Sequence, residues 1–383
     1  MKATLTLLLS FALPVCATAH DGHVHKPTTQ QQTRIRRLNT QVPWIVLTSE
    51  SRAATSRPPQ TAKWFAPFSK TVKTRFDQRF LYVESNGMPA HPMMIGIRSW
   101  QQQVPIPQPY TGENAWRIPL NPVPSRNPLS AKTNFFRGAI ALAANGVPIF
   151  NPIKNDGRTD TFLAGELDQW GGHCGRADDY HYHIAPVHLE KIVGKGKPIA
   201  VALDGYPIYG YNDPNGRPPT NLDWLNGHKD AAGNYHYHAT KNYPYLNGGF
   251  YGEVTVNNGG VEPQPRGQGI RPFTRPLRGA KITGFEKLEP SSYRLEYDVY
   301  GDKRSIRYTM AENGTATFAF TDSTGTRTET YRRRERRPRD RGPSGNEPAS
   351  GRRPRNGSSG LTESEIIELE RFLEFLDREG RRR

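Results

Sequence analysis

From Thr74 onward the apolar residues fall in short runs cut by Asn-Gly, Asp-Gly and Pro, the punctuation of strands and turns rather than of long helices. Two runs are near copies. Ile140-Ala141-Leu142-Ala143-Ala144-Asn145-Gly146-Val147-Pro148-Ile149-Phe150 is echoed by Ile199-Ala200-Val201-Ala202-Leu203-Asp204-Gly205-Tyr206-Pro207-Ile208-Tyr209. Each reads as an apolar strand, a turn and a second strand, so the region is expected to be built from two pseudo-repeated units. Strict alternation appears later: Tyr293, Leu295, Tyr297 and Val299 are separated by Arg294, Glu296 and Asp298. Ile306, Tyr308 and Met310 follow, then Ala316, Phe318 and Phe320, with turns at Gly301-Asp302, Asn313-Gly314 and Thr324-Gly325. This pattern predicts an antiparallel meander of three or four strands with one apolar face.

Helix is predicted only in brief pieces, Leu163 to Trp170 and Val187 to Val193, the second stopped by Gly194. The end of the chain is different. Thr362 and Glu365 form a capping box, Leu361 and Ile366 a hydrophobic staple, and Ile366, Leu369, Leu373 and Leu376 share one face before Gly380. The fold class expected is therefore mostly β with minor α: an irregular β-rich domain over 74–281, a meander over 282–331 and an amphipathic helix over 361–380.

Composition adds the ends. Of 383 residues, 35% are hydrophobic, and Gly 36 and Pro 33 are both above average usage, which suits a loop-rich core with polar tails. Residues 1–19 carry Lys2, an apolar stretch from Leu5 to Val15 and Ala17-Thr18-Ala19, the form of a cleavable secretory signal too short to span a bilayer. A secreted, periplasmic or cell-surface location is expected, with no transmembrane segment. Residues 20–73 form a polar leader expected to be largely disordered, opening on His20, His23 and His25, a loose copper or zinc scavenger or simply a polar end. Cleavage would remove Cys16 and leave Cys174 as the only cysteine, so no intramolecular disulfide is expected.

The net charge of +16 is uneven. Residues 331–360 contain ten arginines against three acids, with Gly, Ser and Pro between them, so the Arg-rich stretch over 332–360 reads as a linker. It lacks the interleaved aromatics of a single-strand stacking surface, and nucleic acid is not expected as a partner. An extracellular anionic polymer, or a partner protein met by the basic tail and the terminal helix, is the functional alternative to a solvated tail.

The chemistry lies in a second duplication. Gly172-His173 is followed after six residues by Tyr180-His181-Tyr182-His183, and Gly227-His228 after six residues by Tyr235-His236-Tyr237-His238. Six of the eleven histidines sit in these two blocks. On a strand, alternate side chains share a face, so His181 and His183 point one way and Tyr180 and Tyr182 the other. If the two copies face each other, His181, His183, His236 and His238 make a four-imidazole set, with His173 and His228 as further ligands or bases. With no thiolate cluster, the metal would be a divalent transition ion, zinc or copper before iron or nickel. Asp179 is a candidate for orienting a ligand imidazole, and Cys174 is either a soft extra ligand or a buried inert thiol. Asp168 and Asp178 are the other nearby carboxylates, and Asp204 reads as a turn residue. The competing reading of the blocks is Tyr/His packing within a sheet.

These residues resemble the YHYH domain family, named for the tetrapeptide at 180–183 and 235–238. Asn86-Gly87-Met88-Pro89-Ala90-His91 is similar to its early element, Gly171-Gly172-His173 and Asp204-Gly205-Tyr206-Pro207-Ile208-Tyr209-Gly210 to its central ones, and Asn242-Tyr243-Pro244-Tyr245 to its exit, over about residues 75–255. Many members have a cysteine after the exit motif, where this chain has Asn247-Gly248. The resemblance implies an exported protein whose domain has no assigned function, and adds His91 to the histidines of interest. Two functions follow: a metal-binding protein, an enzyme only if a coordination position stays open, or a non-catalytic surface or matrix protein that binds glycan or anionic polymer through aromatic loops at 206–211 and 243–251.

Overall fold

The computed structural model describes residues 57–98 and 100–333. The signal segment, the leader up to residue 56, the linker from residue 334 and the 361–380 helix lie outside the described residues. By internal contacts the chain divides into Met1–Lys63 and Trp64–Arg383, and everything below belongs to the second unit.

The unit is almost entirely β. Strands β1 (Lys73–Phe76), β2 (Phe80–Glu84) and β3 (Trp116–Pro119) form an antiparallel sheet, and β4 (Pro124–Ser130) pairs with the later β13 (Gly249–Gly252). Phe65 and Val72 are buried, so packing begins N-terminal to the boundary at Thr74 that composition suggests.

An eight-stranded sheet carries the two duplications. Its strands are β5 (Ala139–Ala143), β6 (Pro148–Phe150), β7 (Gly172–Cys174), β8 (Tyr180–Tyr182), β9 (Ala200–Ala202), β10 (Pro207–Tyr209), β11 (Gly227–Lys229) and β12 (Tyr235–His238). The order across the sheet is β11-β12-β10-β9-β5-β6-β8-β7. At its centre β5 and β9 run antiparallel, Ala141 opposite Ala202 and Leu142 opposite Val201. Every residue of both strands is buried, which is why they read as continuous apolar runs rather than as alternation. Outward on either side comes the hairpin strand, then the histidine strand in parallel, with Ile149 opposite Tyr182 and Ile208 opposite Tyr237. The Gly-His strand forms each edge, antiparallel to its neighbour. Burying Ile140, Leu142, Ile149, Val201 and Ile208, all fully enclosed, contributes about 1.5–3 kcal/mol each before entropy is charged.

A short hairpin, β14 (Val256–Asn257) and β15 (Gly260–Val261), leads to the meander: β16 (Ala280–Glu289), β17 (Ser292–Val299), β18 (Asp302–Met310), β19 (Thr315–Asp322) and β20 (Gly325–Arg332), in sequential order. It has five strands where alternation predicts three or four. The register of β16 shifts between Ile282 and Gly284, which breaks its period of two, and β20 is polar and largely exposed, so neither strand carries the alternating signal. The apolar face lies on the main domain. Ile282 exchanges backbone hydrogen bonds with Gly96 and Ile97, Tyr308 donates its hydroxyl to the Pro105 carbonyl at 2.5 Å, and Trp100 meets Tyr297 edge-on.

The predicted helix from Leu163 to Trp170 is a set of turns instead. The Asp160 carboxylate accepts the backbone N–H of Phe162 and Leu163, and Gly165 with φ +67° ends the single turn. Val187–Leu189 is a 3₁₀ turn leading into the α-helix Glu190–Val193, stopped at Gly194 with φ +94°.

Candidate metal centres

Each histidine strand pairs with its own Gly-His strand, and this pairing fixes the site. His173 lies opposite His181 across β7 and β8, and His228 opposite His236 across β11 and β12. Directly opposed residues of an antiparallel pair share a face, and the histidine two positions on completes a triad. In the first triad, His183 Nε2 lies 3.1 Å from His181 Nε2 and 3.0 Å from His173 Nε2. In the second, His228 Nε2 lies 3.0 Å from His236 Nε2 and 3.2 Å from His238 Nε2.

The opposite nitrogen of every ring is committed to a backbone carbonyl. His173 Nδ1 donates to Glu166 O at 3.1 Å, His181 to Asp179 O at 3.0 Å and His183 to Asn151 O at 2.7 Å. His228 donates to Thr220 O at 3.1 Å, His236 to Asn234 O at 3.4 Å and His238 to Gly210 O at 3.1 Å. A carbonyl only accepts, so each neutral ring holds its proton on Nδ1 and turns a bare Nε2 lone pair toward the other two. Burial, then neighbouring imidazoles, pushes His173 down to about 3 and His183 well below the ordinary histidine range. Burial likewise takes His238 down to about 4.

The second triad has a fourth member. Asp213 Oδ1 lies 3.1 Å from His228 Nε2 and 3.2 Å from both His236 and His238 Nε2, nearly equidistant from the three.

The tyrosines hold the strands in place from the other face. Tyr180 donates to Asp168 Oδ2 and Tyr235 to Asp223 Oδ2, both at 2.8 Å. Asn145 Nδ2 donates to the Tyr182 hydroxyl at 3.1 Å, and Tyr237 donates to Asp204 Oδ2 at 2.6 Å. Each pair of tyrosines is therefore pinned by an aspartate five residues before the Gly-His histidine and by the Asn or Asp of the hairpin turn. The tyrosines are packing residues of this face, and the histidines converge on the other.

The four-imidazole set does not form. The histidine strands lie on opposite halves of the sheet, five strand positions apart, roughly 24 Å at the usual spacing between strands. His173 and His228 are members of the triads rather than outlying bases. Asp179 supports His181 mainly through its main-chain oxygen, its carboxylate lying 3.7 Å from Nδ1. Cys174 points to the opposite face, buried, with its thiol pushed well above the ordinary range by burial first and then by Asp178 and Asp179. It is not a ligand. His91 also belongs to the tyrosine face. Its Nδ1 donates to Pro92 O, its Nε2 accepts from the Tyr182 hydroxyl at 2.8 Å, and its ring stacks on Trp170. Asp204 is more than a turn residue, being buried and accepting from Tyr237, Gly252 and Tyr206. The aromatic loops are largely interior: Tyr206 and Tyr245 are buried, and Tyr235 stacks on Tyr251 at 3.7 Å.

Asp213 and Asp223 escape the sequence reading. Asp223 had a signal, since Asp168 and Asp223 stand at the same offset from their histidines. Asp213 had none, because a carboxylate 15 residues from His228 joins the site only through the loop that folds it there. No helix of the described residues is long and apolar enough to cross a membrane.

No curated protein and no solved structure matches this chain. Residues 115–217 match the family model described as YHYH protein, a narrower span than the motifs suggest, holding the first triad and Asp213 but ending before the second histidine block. Over residues 115–217 the chain is thus similar to the YHYH family.

Proposed function

We propose that this is an exported metal-binding protein whose β-rich domain consists of two repeated units, each holding one divalent transition ion on three histidine Nε2 atoms. The observation that carries the reading is the convergence of lone pairs. Three neutral imidazoles whose Nδ1 protons are all given to carbonyls have no hydrogen left to place between Nε2 atoms 3.0–3.2 Å apart. At that distance the lone pairs repel unless a cation lies among them, and in the second triad a carboxylate oxygen adds to the repulsion. Nitrogens bound to tetrahedral zinc lie about 3.3–3.4 Å apart, given metal–nitrogen distances of about 2.0–2.1 Å, so the spacing suits such an ion. An all-imidazole and carboxylate donor set favours zinc or copper. The carbonyl at each Nδ1 is the supporting bond that fixes tautomer and ring direction in metal-ligating histidines.

The mirrored strand order about β5 and β9 and the paired ties of the tyrosines support the repeated-unit reading. In the same reading the 1–19 signal exports the chain, and the basic 332–360 segment with the 361–380 helix engages an anionic polymer or partner protein.

Elemental analysis of the purified full chain tests the metal reading. One ion per triad is expected in the wild type, with one lost in His181→Ala/His183→Ala and the other in His236→Ala/His238→Ala. If the wild type carries neither ion and added zinc or copper leaves its melting temperature unchanged, the histidines are packing residues and the polymer-binding reading stands alone.

A further inference from the structure

The two triads differ in what surrounds them. The second is capped by Asp213, whose backbone N–H donates to Arg217 O at 2.8 Å and whose carbonyl accepts from Gly216 N at 2.8 Å, so a tight turn presents the carboxylate. Counted from the matching Phe150 and Tyr209, the position corresponding to Asp213 in the first half is Lys154. The backbone does the same thing there, since Lys154 O accepts from Gly157 N at 2.9 Å and Lys154 N donates to Thr159 O. The first half therefore has a lysine, paired with Glu166, at the position where the second has the capping carboxylate.

No carboxylate, thiol or fourth imidazole among the described residues joins His173, His181 and His183 within ligand distance. Glu166 is close, for its main-chain oxygen takes the His173 Nδ1 proton, but both its carboxylate oxygens are held by Lys154 Nζ at 2.9 and 3.0 Å. The Asp179 carboxylate lies on the Nδ1 side of His181, away from the lone pairs.

We infer that the first centre keeps a coordination position for an exchangeable small anion, hydroxide included, beside the Lys154 ammonium, whereas Asp213 closes the second centre into a structural site. This rests on the metal reading above. Three protein ligands leaving a fourth position to solvent or substrate distinguish reactive zinc sites from closed ones, and a nearby cation favours an anion in that position. The two halves thus divide the work: one ion staples its edge of the sheet, and the other keeps a position that no described side chain fills.

Cobalt(II) as the metal and sodium azide as the anion give the test, read by visible absorption of the full chain. In the wild type loaded with two cobalt ions, azide is expected to perturb one centre only. The response is expected to vanish in His181→Ala/His183→Ala and to double in Asp213→Ala. Lys154→Met, which removes the ammonium and frees the Glu166 carboxylate, is expected to keep the cobalt but weaken azide about tenfold or more. If both cobalt ions bind and azide perturbs neither centre, or both alike, the division of roles is wrong while the metal reading survives. If cobalt binds at neither triad, the metal reading itself fails and takes this inference with it.

Discussion

The Tyr180 hydroxyl donates to Asp168 Oδ2 at 2.8 Å, directly over Gly172, so the tyrosine that backs the first histidine strand is tied to the loop that delivers His173. Asp168 also accepts the backbone N–H of Met94, Trp170 and Gly172, and burial still raises its pKa above the ordinary carboxylate value. Removing the hydroxyl leaves a buried acceptor short of a partner. Tyr180→Phe is expected to lower stability by about 1–3 kcal/mol, measured by urea denaturation, and to reduce metal retention at the first triad alone.

Gly172 has no room for a side chain. A Cβ there would come within 2.5 Å of the Tyr180 hydroxyl and 2.7 Å of the His181 carbonyl, and Gly227 stands in the same relation to Tyr235 and His236. Gly172→Ala must push β7 away from β8 or break the tyrosine tie. A cost of about 1–3 kcal/mol is expected, with loss of any metal that the proposed first centre holds through His173.

Acid should destabilise the metal-free protein. His173, His183 and His238 have folded pKa values depressed below the ordinary 6.5, burial being the largest cause in each case. The unfolded chain therefore binds protons that the folded chain refuses, and stability falls as pH drops through about 6.5 toward 4, by about 1.4 kcal/mol per pH unit for each such histidine. Asp204 works the other way. Burial raises it to about 6 despite the bonds from Tyr237 and Gly252, so the folded state holds a proton that the unfolded state releases. His91 and His188, also lowered by burial, act with the three histidines, while Asp168 and Asp178, raised by burial, act with Asp204. Asp204→Asn should make the loss of stability in acid steeper than in the wild type, and urea midpoints of chelator-treated protein across this range provide the measurement.

Arg271 joins three parts of the unit. Its guanidinium meets the Asp178 carboxylate at 2.6 and 3.0 Å, donates to Gln102 O at 2.9 Å and lies 4.9 Å from the centre of the Phe318 ring in the meander. Both charges are buried. Arg271→Ala should cost about 3–5 kcal/mol by leaving Asp178 buried and alone. The expected signature is a drop in melting temperature with faster protease cleavage between residues 262 and 280, because the meander loses its tie to the histidine domain.

The histidine pattern was fully legible along the chain, and so was the β character. Alternation places His181 and His183 on one face wherever the strand lies, and the near-copies at 140–150 and 199–209 fix where two hairpins form. These are local properties, set by backbone geometry and short-range turn chemistry. The helix expected over 361–380 falls outside the described residues.

What periodicity cannot carry is which strand lies beside which. The expectation that the two histidine strands face each other came from their likeness, but β5 and β9 pair at the centre and send the histidine strands outward to opposite halves of the sheet. Each triad is completed by its own Gly-His strand instead, through the antiparallel register of β7 on β8 and β11 on β12. Asp213 and Lys154 make the point most sharply. Nothing local marks either residue as a neighbour of a histidine cluster, and only the folded loops bring a carboxylate to one triad and a lysine paired with Glu166 to the matching place in the other half. The chain by itself determined the donor atoms and their pairing along each strand, because those follow from the alternation of side chains. The tertiary structure decided how many histidine clusters there are and which one a carboxylate joins, because those depend on long-range strand pairing that no short-range pattern encodes.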